Sequence, residues 1–126
     1  MIKSDGSRYT LSLVIIFAAF VAVASISFPS KARTPTTAVN IVNNSTRAIV
    51  NVYLSHTDAD DWSGNQLGDA TISPGQSFDL NNVACDRQQV KVIGEDQDGC
   101  FVSTVLTCGG SSTWTISSDT PRDCGQ

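Results

Sequence analysis

The position of the cysteines constrains this chain more than any other feature. All four, Cys85, Cys100, Cys108 and Cys124, lie within the last 42 of its 126 residues. An even number of cysteines in one short region indicates disulfide bonds when the chain is exported. A zinc site is the competing interpretation, and the spacing disfavours it because no Cys-x-x-Cys pair is present. The sequence therefore predicts a small domain that disulfides stabilise.

The N-terminal segment indicates export. Basic residues precede an uncharged apolar run at 11–26, which is followed by Phe28-Pro29-Ser30-Lys31-Ala32. A charged start, an apolar stretch and a small-x-small site are typical of a secretory signal peptide. Cleavage after Ala32 is favoured over cleavage after Ala24, so residues 1–32 are predicted to be removed. An uncleaved anchor is the alternative, because the apolar run is just long enough to span a bilayer.

The charge of the predicted mature chain excludes some partners. After cleavage, five basic side chains stand against eleven acidic ones, a net charge of −6. Nucleic acid and anionic lipid both require a basic surface. We therefore expect no nucleic-acid partner and no stable membrane association once the signal peptide is removed. The expected location is the periplasm or the outside of the cell.

The mature chain reads as one all-β domain. Residues 33–37 are predicted to be a flexible leader, and residues 38–126 to be the domain. Short runs rich in β-branched residues, separated by turn residues, predict strands at 38–42, 48–54, 67–72, 77–80, 88–93, 101–106 and 113–116. The run at 48–54 has apolar residues on both faces, which predicts a central strand. No helical periodicity follows the signal peptide, so the sequence predicts a single small antiparallel β-sandwich of six or seven strands.

The strongest turn signal lies between the strands predicted at 88–93 and 101–106. Asp98-Gly99 in that position fits a type I turn closed by a glycine bulge, and predicts a hairpin. A second reversal is predicted at Gly109-Gly110. It would bring the last strand back along the hairpin and place Ser118 beside Phe101.

This hairpin limits the three pairings that four cysteines allow. Cys85 would lie at the open end of the hairpin and Cys100 near its tip, about 30 Å apart at about 3.3 Å per residue. That distance is too long for a disulfide. Cys100 and Cys108 lie on one extended strand, which excludes that pair as well. The pairing that remains is Cys85 with Cys108 and Cys100 with Cys124.

Several turn and loop motifs resemble a known family. They are Asn43-Asn44-Ser45-Thr46, Val52-Tyr53-Leu54-Ser55, Asp60-Asp61-Trp62-Ser63-Gly64, Pro74-Gly75 and Leu106-Thr107-Cys108. Over about residues 39–108 the chain resembles a family of small exported, largely uncharacterised bacterial β-sandwich proteins. One departure is Ser63 between Trp62 and Gly64, where the family commonly has glycine directly after the tryptophan. The resemblance implies a secreted β-sandwich and names no substrate, because such motifs specify a fold better than an activity.

No recognisable catalytic constellation is present in the sequence. His56 is the only histidine, it lies in a polar loop, and no G-x-S-x-G elbow occurs. Glu95 is the only glutamate and is placed in a hairpin tip, which disfavours a two-carboxylate glycosidase. We therefore predict that the protein is not an enzyme. A small secreted hydrolase stays open as an alternative, and would need a pocket that holds two carboxylates or His56 beside an acid.

The long polar loop at 55–68 contains the candidate binding residues. These are His56, Asp58, Asp60, Asp61 and Trp62. Trp62 either anchors the loop on the sandwich or displays its ring to a ligand. The carboxylates of Asp58, Asp60, Asp61 and Asp69 are candidate calcium ligands. The EF-hand pattern fails, however, because Ser63 occupies the sixth position and no glutamate stands at the twelfth.

The sequence thus predicts an exported β-sandwich that acts by recognition. The expected partner is a protein or a glycan, and no cofactor is expected, with calcium as the exception to be tested. A calcium-stabilised structural module, a hydrolase and a protease inhibitor are the alternatives.

Overall fold

The computed structural model of the protein describes residues 25–29 and 34–125. Most of the predicted signal peptide, and its cleavage site, lie outside these residues. Residues 25–29 contain no helix or strand. Nowhere in the described part of the chain is there a helix long and apolar enough to cross a membrane.

Six strands form the domain. They are β1 (Thr36–Asn44), β2 (Ile49–Ser55), β3 (Ser77–Ala84), β4 (Gln89–Asp96), β5 (Phe101–Thr107) and β6 (Gly110–Ser117). In β1 the buried residues Thr37, Val39, Ile41 and Asn43 alternate with more exposed ones. This period of two is that of a strand with one face in the core.

The strands form two three-stranded sheets, in the orders β3-β1-β6 and β2-β4-β5. The core between them consists mainly of β-branched and aromatic side chains. The first sheet contributes Val39, Ile41, Trp114 and Ile116, and the second contributes Val52, Val90, Val92 and Val102. The predicted all-β sandwich is therefore confirmed, with six strands.

The hairpin of β4 and β5 has the predicted turn. Gly99 has a φ of 78°, in the left-handed region that favours glycine. Its N–H donates to the carbonyl of Asp96, and the N–H of Asp96 donates to the carbonyl of Cys100, both at 2.9 Å. Residues within the turn are sufficient to produce this geometry.

The position of β6 differs from the prediction. It pairs in parallel with β1, from Thr37 opposite Gly110 to Asn44 opposite Ser117, so the sandwich is not antiparallel throughout. β1 pairs with β3 on one side only, and β6 completes its other side. The chain crosses from one sheet to the other at Gly109 and Gly110. The residue that lies beside Phe101 is therefore Asp123 and not Ser118.

β2 lies at the edge of its sheet, and the central strand is β4. The prediction of a central β2 was wrong because a loop, not a strand, covers its second side. The N–H of Ser63 donates to the carbonyl of Leu54 at 2.8 Å, and that of Gln66 to the carbonyl of Val52 at 2.7 Å. The strand predicted at 67–72 is absent from the described chain; this segment continues a turn and has one bridge, between Ile72 and Ile49.

Both disulfides have the predicted pairing. Cys85 is bonded to Cys108 with a Cα separation of 6.4 Å, and Cys100 to Cys124 with a Cα separation of 4.2 Å. Two disulfides indicate an oxidising, extracytoplasmic environment. The second one closes because the bridge between Phe101 and Asp123 returns the C-terminal segment to the start of β5.

The N-terminal boundary of the domain lies before the predicted one. β1 begins at Thr36, and Thr37 is buried. The carbonyl of Pro35 accepts a hydrogen bond of 2.9 Å from Cys85. Part of the segment 33–37, predicted as a flexible leader, thus belongs to the sandwich.

Candidate functional site

The segment 55–68, called the acidic loop below, crosses the free edge of β2 and is fixed to it by polar side chains. The Ser63 hydroxyl accepts a hydrogen bond of 2.9 Å from the N–H of Leu54. The Asn65 side-chain oxygen accepts one of 3.0 Å from the N–H of Val52. Unpaired edge groups invite association with other strands, and the loop satisfies them here. Part of the polarity of this loop is therefore structural.

Two adjacent residues of the acidic loop lie on opposite sides of β2. Trp62 contacts Tyr53 and Phe101, which lie on the outer face of the β2-β4-β5 sheet. Asp61 instead lines a groove between β2 and the end of β3. The loop thus contributes to two separate surfaces, called the outer aromatic face and the β2–β3 groove.

The outer aromatic face consists of Tyr53, Trp62 and Phe101. The Trp62 ring centroid is 5.4 Å from that of Tyr53 and 5.2 Å from that of Phe101, the second pair being edge to face. Tyr53 is in β2 and Phe101 is in β5, and β4 lies between these two strands. The Trp62 indole, which contacts both residues, therefore lies over β4. Ile93, whose side chain is on this outer face of β4, is only 1% exposed. Trp62 and its neighbours therefore cover a small apolar cluster outside the main core.

Trp62 nevertheless remains 41% exposed, so it both anchors the loop and presents a ring to solvent. Polar groups lie next to it. The carboxylate of Glu95 accepts hydrogen bonds from Asn51 at 2.8 Å and from the Tyr53 hydroxyl at 3.1 Å. Burial raises the pKa of Tyr53, and the hydrogen bond and charge of Glu95 raise it further, so this phenol keeps its proton.

The β2–β3 groove has a volume of about 240 Å³. Eight residues line it: Leu54, Ser55, His56, Asp61, Ser63, Ala84, Asp86 and Val90. Leu54, Ala84 and Val90 provide apolar walls, whereas Asp61 and Asp86 contribute carboxylates. The groove thus combines an apolar interior with negative charge.

His56 and Asp61 form a pair at this groove. Nδ1 of the imidazole contacts one carboxylate oxygen of Asp61, and the backbone N–H of His56 donates to the other at 3.2 Å. The backbone N–H lowers the pKa of Asp61; desolvation opposes this shift, and the imidazole contact adds to it. The sequence identified both residues as candidates, and the structure brings them together.

The serines that line the groove do not complete a catalytic triad. The Ser55 hydroxyl donates to the carbonyl of Ala59 at 2.7 Å, and the Ser63 hydroxyl to that of Gly64 at 2.9 Å. Among the described residues, no serine hydroxyl is hydrogen-bonded to the His56 imidazole. A nucleophile needs a base within hydrogen-bond reach. The described residues at the groove therefore contain no hydrogen-bonded serine–histidine pair.

The four candidate calcium ligands are not gathered. Asp61 is paired with His56, and Asp58 lies 3.7 Å from Arg87. Within residues 25–29 and 34–125, no group of three or more His, Cys, Asp or Glu side chains is placed to hold a metal ion. Asp60 and Asp69 are exposed.

Asp86 is a site residue that the sequence analysis missed. It is held by a tight turn in which Asp86 and Gln89 exchange two backbone hydrogen bonds of 2.9 Å. The two residues between them, Arg87 and Gln88, have φ values of 49° and 68°. Asn-Gly is the usual signal for this two-residue turn. Arg-Gln gives no such signal, so neither the turn nor the place of Asp86 at the groove was predicted.

Comparisons with known proteins found one similar solved structure. No protein-family model and no curated protein matches the chain. An NMR structure of a protein from Eubacterium rectale is similar, with a TM-score of 0.48 and 16% sequence identity, over 76% of this chain and 94% of that one.

Proposed function

We propose that the protein is a non-catalytic recognition module of the periplasm or the cell exterior, and that it binds a glycan through the outer aromatic face. The observation that carries the proposal is Trp62, which packs on two aromatic rings and yet keeps 41% of its surface exposed. A tryptophan held in this way is a fixed, partly apolar platform. Aromatic anchors of this kind dominate the energetics of binding surfaces.

A sugar ring fits the chemistry of this face. One side of a pyranose presents C–H groups that pack on an indole, and its hydroxyls form hydrogen bonds around the edge. Asn51, Lys91 and Glu95 share the face with the aromatic rings and provide polar partners. Strands fix Tyr53 and Phe101 before any ligand arrives. Little conformational entropy would then be lost on binding.

The two disulfides support the proposed location, because such bonds persist in oxidising compartments. The signal peptide predicted at residues 1–32 accounts for export. Residues 33–126 have a net charge of −6, from five basic and eleven acidic side chains, which disfavours adsorption to anionic lipid. A soluble or surface-displayed glycan is compatible with both features.

The test is a glycan screen with the exported protein, followed by calorimetric titration of any glycan that binds. Trp62→Ala should weaken binding by about tenfold or more, as expected for an aromatic hot spot, whereas Trp62→Phe should retain part of the affinity. Thr113→Ala, on the exposed face of the other sheet, is the matched control and should bind normally.

Stability must be measured in parallel, because Trp62 also packs on Tyr53 and Phe101. We expect Trp62→Ala to lower the free energy of unfolding by about 1–3 kcal/mol, below the range for a fully buried aromatic. A folded Trp62→Ala variant with unchanged glycan affinity would overturn the proposal. So would a screen without any glycan ligand, accompanied by capture of a protein that depends on Trp62.

A further inference from the structure

We propose that the β2–β3 groove is a second binding site, separate from the outer aromatic face, and that it takes a small organic cation. The ligand class is a primary ammonium or guanidinium group on a short apolar stem. The glycan proposal and this one rest on different residues. Either can fail without the other.

The size and the apolar walls of the groove favour a short apolar stem on the ligand. Its volume of about 240 Å³ lies below the roughly 300–1,000 Å³ that is usual for sites of drug-sized ligands. Leu54 and Val90 belong to the sheet side that faces the core, and Ala84 closes the groove from the end of β3. A chain of a few methylene groups would contact all three.

The charges of the groove favour a cationic head group on the ligand. Asp61 and Asp86 both line it, and within residues 34–125 no Arg, Lys or His nitrogen lies within ion-pairing distance of the Asp86 carboxylate. The neighbouring cation, Arg87, is directed to Asp58 and its side chain is 83% exposed. A half-buried carboxylate gains more from a cation than a fully solvated one, because the lower local dielectric strengthens the attraction. An anionic ligand would be repelled.

The Asp61 carboxylate and the backbone of Asp86 are already held in place. His56 holds Asp61 through its imidazole and its backbone N–H. Asp86 follows Cys85, which is tied to Cys108, and precedes the tight turn at Arg87 and Gln88. Left-handed backbone at two residues that are not glycine costs about 1–3 kcal/mol each, and such strain concentrates at functional sites. A rigid site of this kind loses little entropy when it binds a ligand.

The probes are n-butylammonium and n-butylguanidinium, with 1-butanol and butyrate as neutral and anionic controls of the same length. Binding is followed by amide NMR shifts at Ala84, Asp86 and Val90, and by titration calorimetry. We expect saturable shifts with the two cations and none with the controls. Equal shifts with all four probes, or none with any, would overturn the proposal.

A charge-neutral variant distinguishes specific binding in the groove from the general attraction of cations to an acidic protein. No side-chain hydrogen bond of Asp86 is present among the described residues, so Asp86→Asn should fold normally, as its amide spectrum would verify. It should weaken the binding of both cations by about fivefold, the upper end for a partly exposed ion pair. Asp119→Asn, a control at an exposed residue, should leave the affinity for both cations unchanged. Equal affinities in these two variants would refute the site.

A third arm distinguishes the sources of such a cation. N-acetylarginine amide and a Gly-Arg-Gly peptide carry a guanidinium on a short alkyl chain, as n-butylguanidinium does. The first two probes represent a protein side chain, and n-butylguanidinium represents a free small molecule. Tighter binding of the peptide supports the cation site with a protein side chain as its source. Binding of the butyl probes alone supports it with a small molecule as the source.

Discussion

At the scale of single residues, Asn43 shows why a turn motif recognised in the sequence matters to the fold. It is fully buried at the end of β1. Its amide donates to the carbonyls of Arg47 and Ile72, both at 2.8 Å, and its oxygen accepts from the N–H and hydroxyl of Ser45. One side chain thus joins the turn after β1 to the segment before β3. Every polar atom of Asn43 has a partner, which is what burial requires.

The first prediction at this scale concerns Asn43→Ala. The substitution removes the four hydrogen bonds of the buried Asn43 side chain, and each contributes about 0.5–1.5 kcal/mol. We therefore expect the free energy of unfolding in urea to fall by about 2–4 kcal/mol. Asn44→Ala is the matched control, because Asn44 is the next residue and is exposed. Its effect should stay within about 0.5 kcal/mol. Similar losses in both variants would show that the network around Asn43 contributes no stability.

At the scale of elements, the sequence predicted what local chemistry determines. Asp98-Gly99 was sufficient to predict the β4–β5 hairpin, because Gly99 itself adopts the positive φ that the turn needs. The partner of β6 could not be predicted in this way. Its pairing with β1 joins residues more than 70 positions apart, and depends on which sheet has an edge left to fill. β2 shows the same limit, since its second side is covered by a loop without a strand pattern.

The candidate site also has one part that was predictable from local sequence and one part that was not. The acidic loop with His56, Asp61 and Trp62 was predicted because those residues are adjacent in sequence. The β2–β3 groove was not predicted, because Asp86 reaches it from the turn after β3 and Val90 reaches it from β4. Residues that are adjacent in the chain form a pattern that can be recognised in the sequence. Residues brought together by the packing of two sheets form no such pattern.

The C-terminal segment after β6 is held by an ion pair with the β4–β5 hairpin. Arg122 donates to the carboxylate of Asp96 at 2.8 Å, and Asp96 is only 3% exposed. Burial would raise the pKa of Asp96, but hydrogen bonds from the N–H of Cys100, from Arg122 and from the N–H of Asp98, together with the charge of Arg122, lower it overall below its usual value of 3.8. Asp98 accepts from Arg122 as well, at 3.1 Å, and from Arg47 at 2.8 Å.

The lowered pKa of Asp96 predicts acid sensitivity. A carboxyl group with a lower pKa in the folded state stabilises the protein above its unfolded pKa, and that stabilisation is lost as the pH falls through the folded value. Asp96→Asn should therefore lower the free energy of unfolding by about 1–3 kcal/mol at pH 7, the range for hydrogen bonds to charged groups. The difference from the wild type should shrink below about pH 4. Urea titrations at both pH values, with Asp119→Asn as an exposed control, measure it. A difference that does not change with pH would contradict the ion pair.

At the scale of the whole molecule, the two disulfides join parts that strand pairing leaves separate. Cys85, just after β3, is tied to Cys108, just after β5, so this bond connects one sheet to the other. Cys100, just before β5, is tied to Cys124 in the C-terminal segment. Both ends of β5 are thereby fixed. A domain of this size is near the limit at which burial alone gives stability.

The last prediction compares the two disulfides. They span almost the same length of chain, 23 and 24 residues, so loop closure predicts nearly equal stabilisation of about 3–3.5 kcal/mol. The folded state differs, however, because Cys85 belongs to the core with Cys108 packed against it, whereas Cys100 is buried outside that core cluster and Cys124 is exposed. Replacing Cys85 and Cys108 together by alanine should therefore cost more than replacing Cys100 and Cys124, by about 1 kcal/mol or more for the lost packing. Urea denaturation of both double variants measures the difference. Equal losses would show that core packing around Cys85 adds nothing to loop closure, and a larger loss for Cys100 and Cys124 would mean that the C-terminal segment, held also by Arg122, governs unfolding.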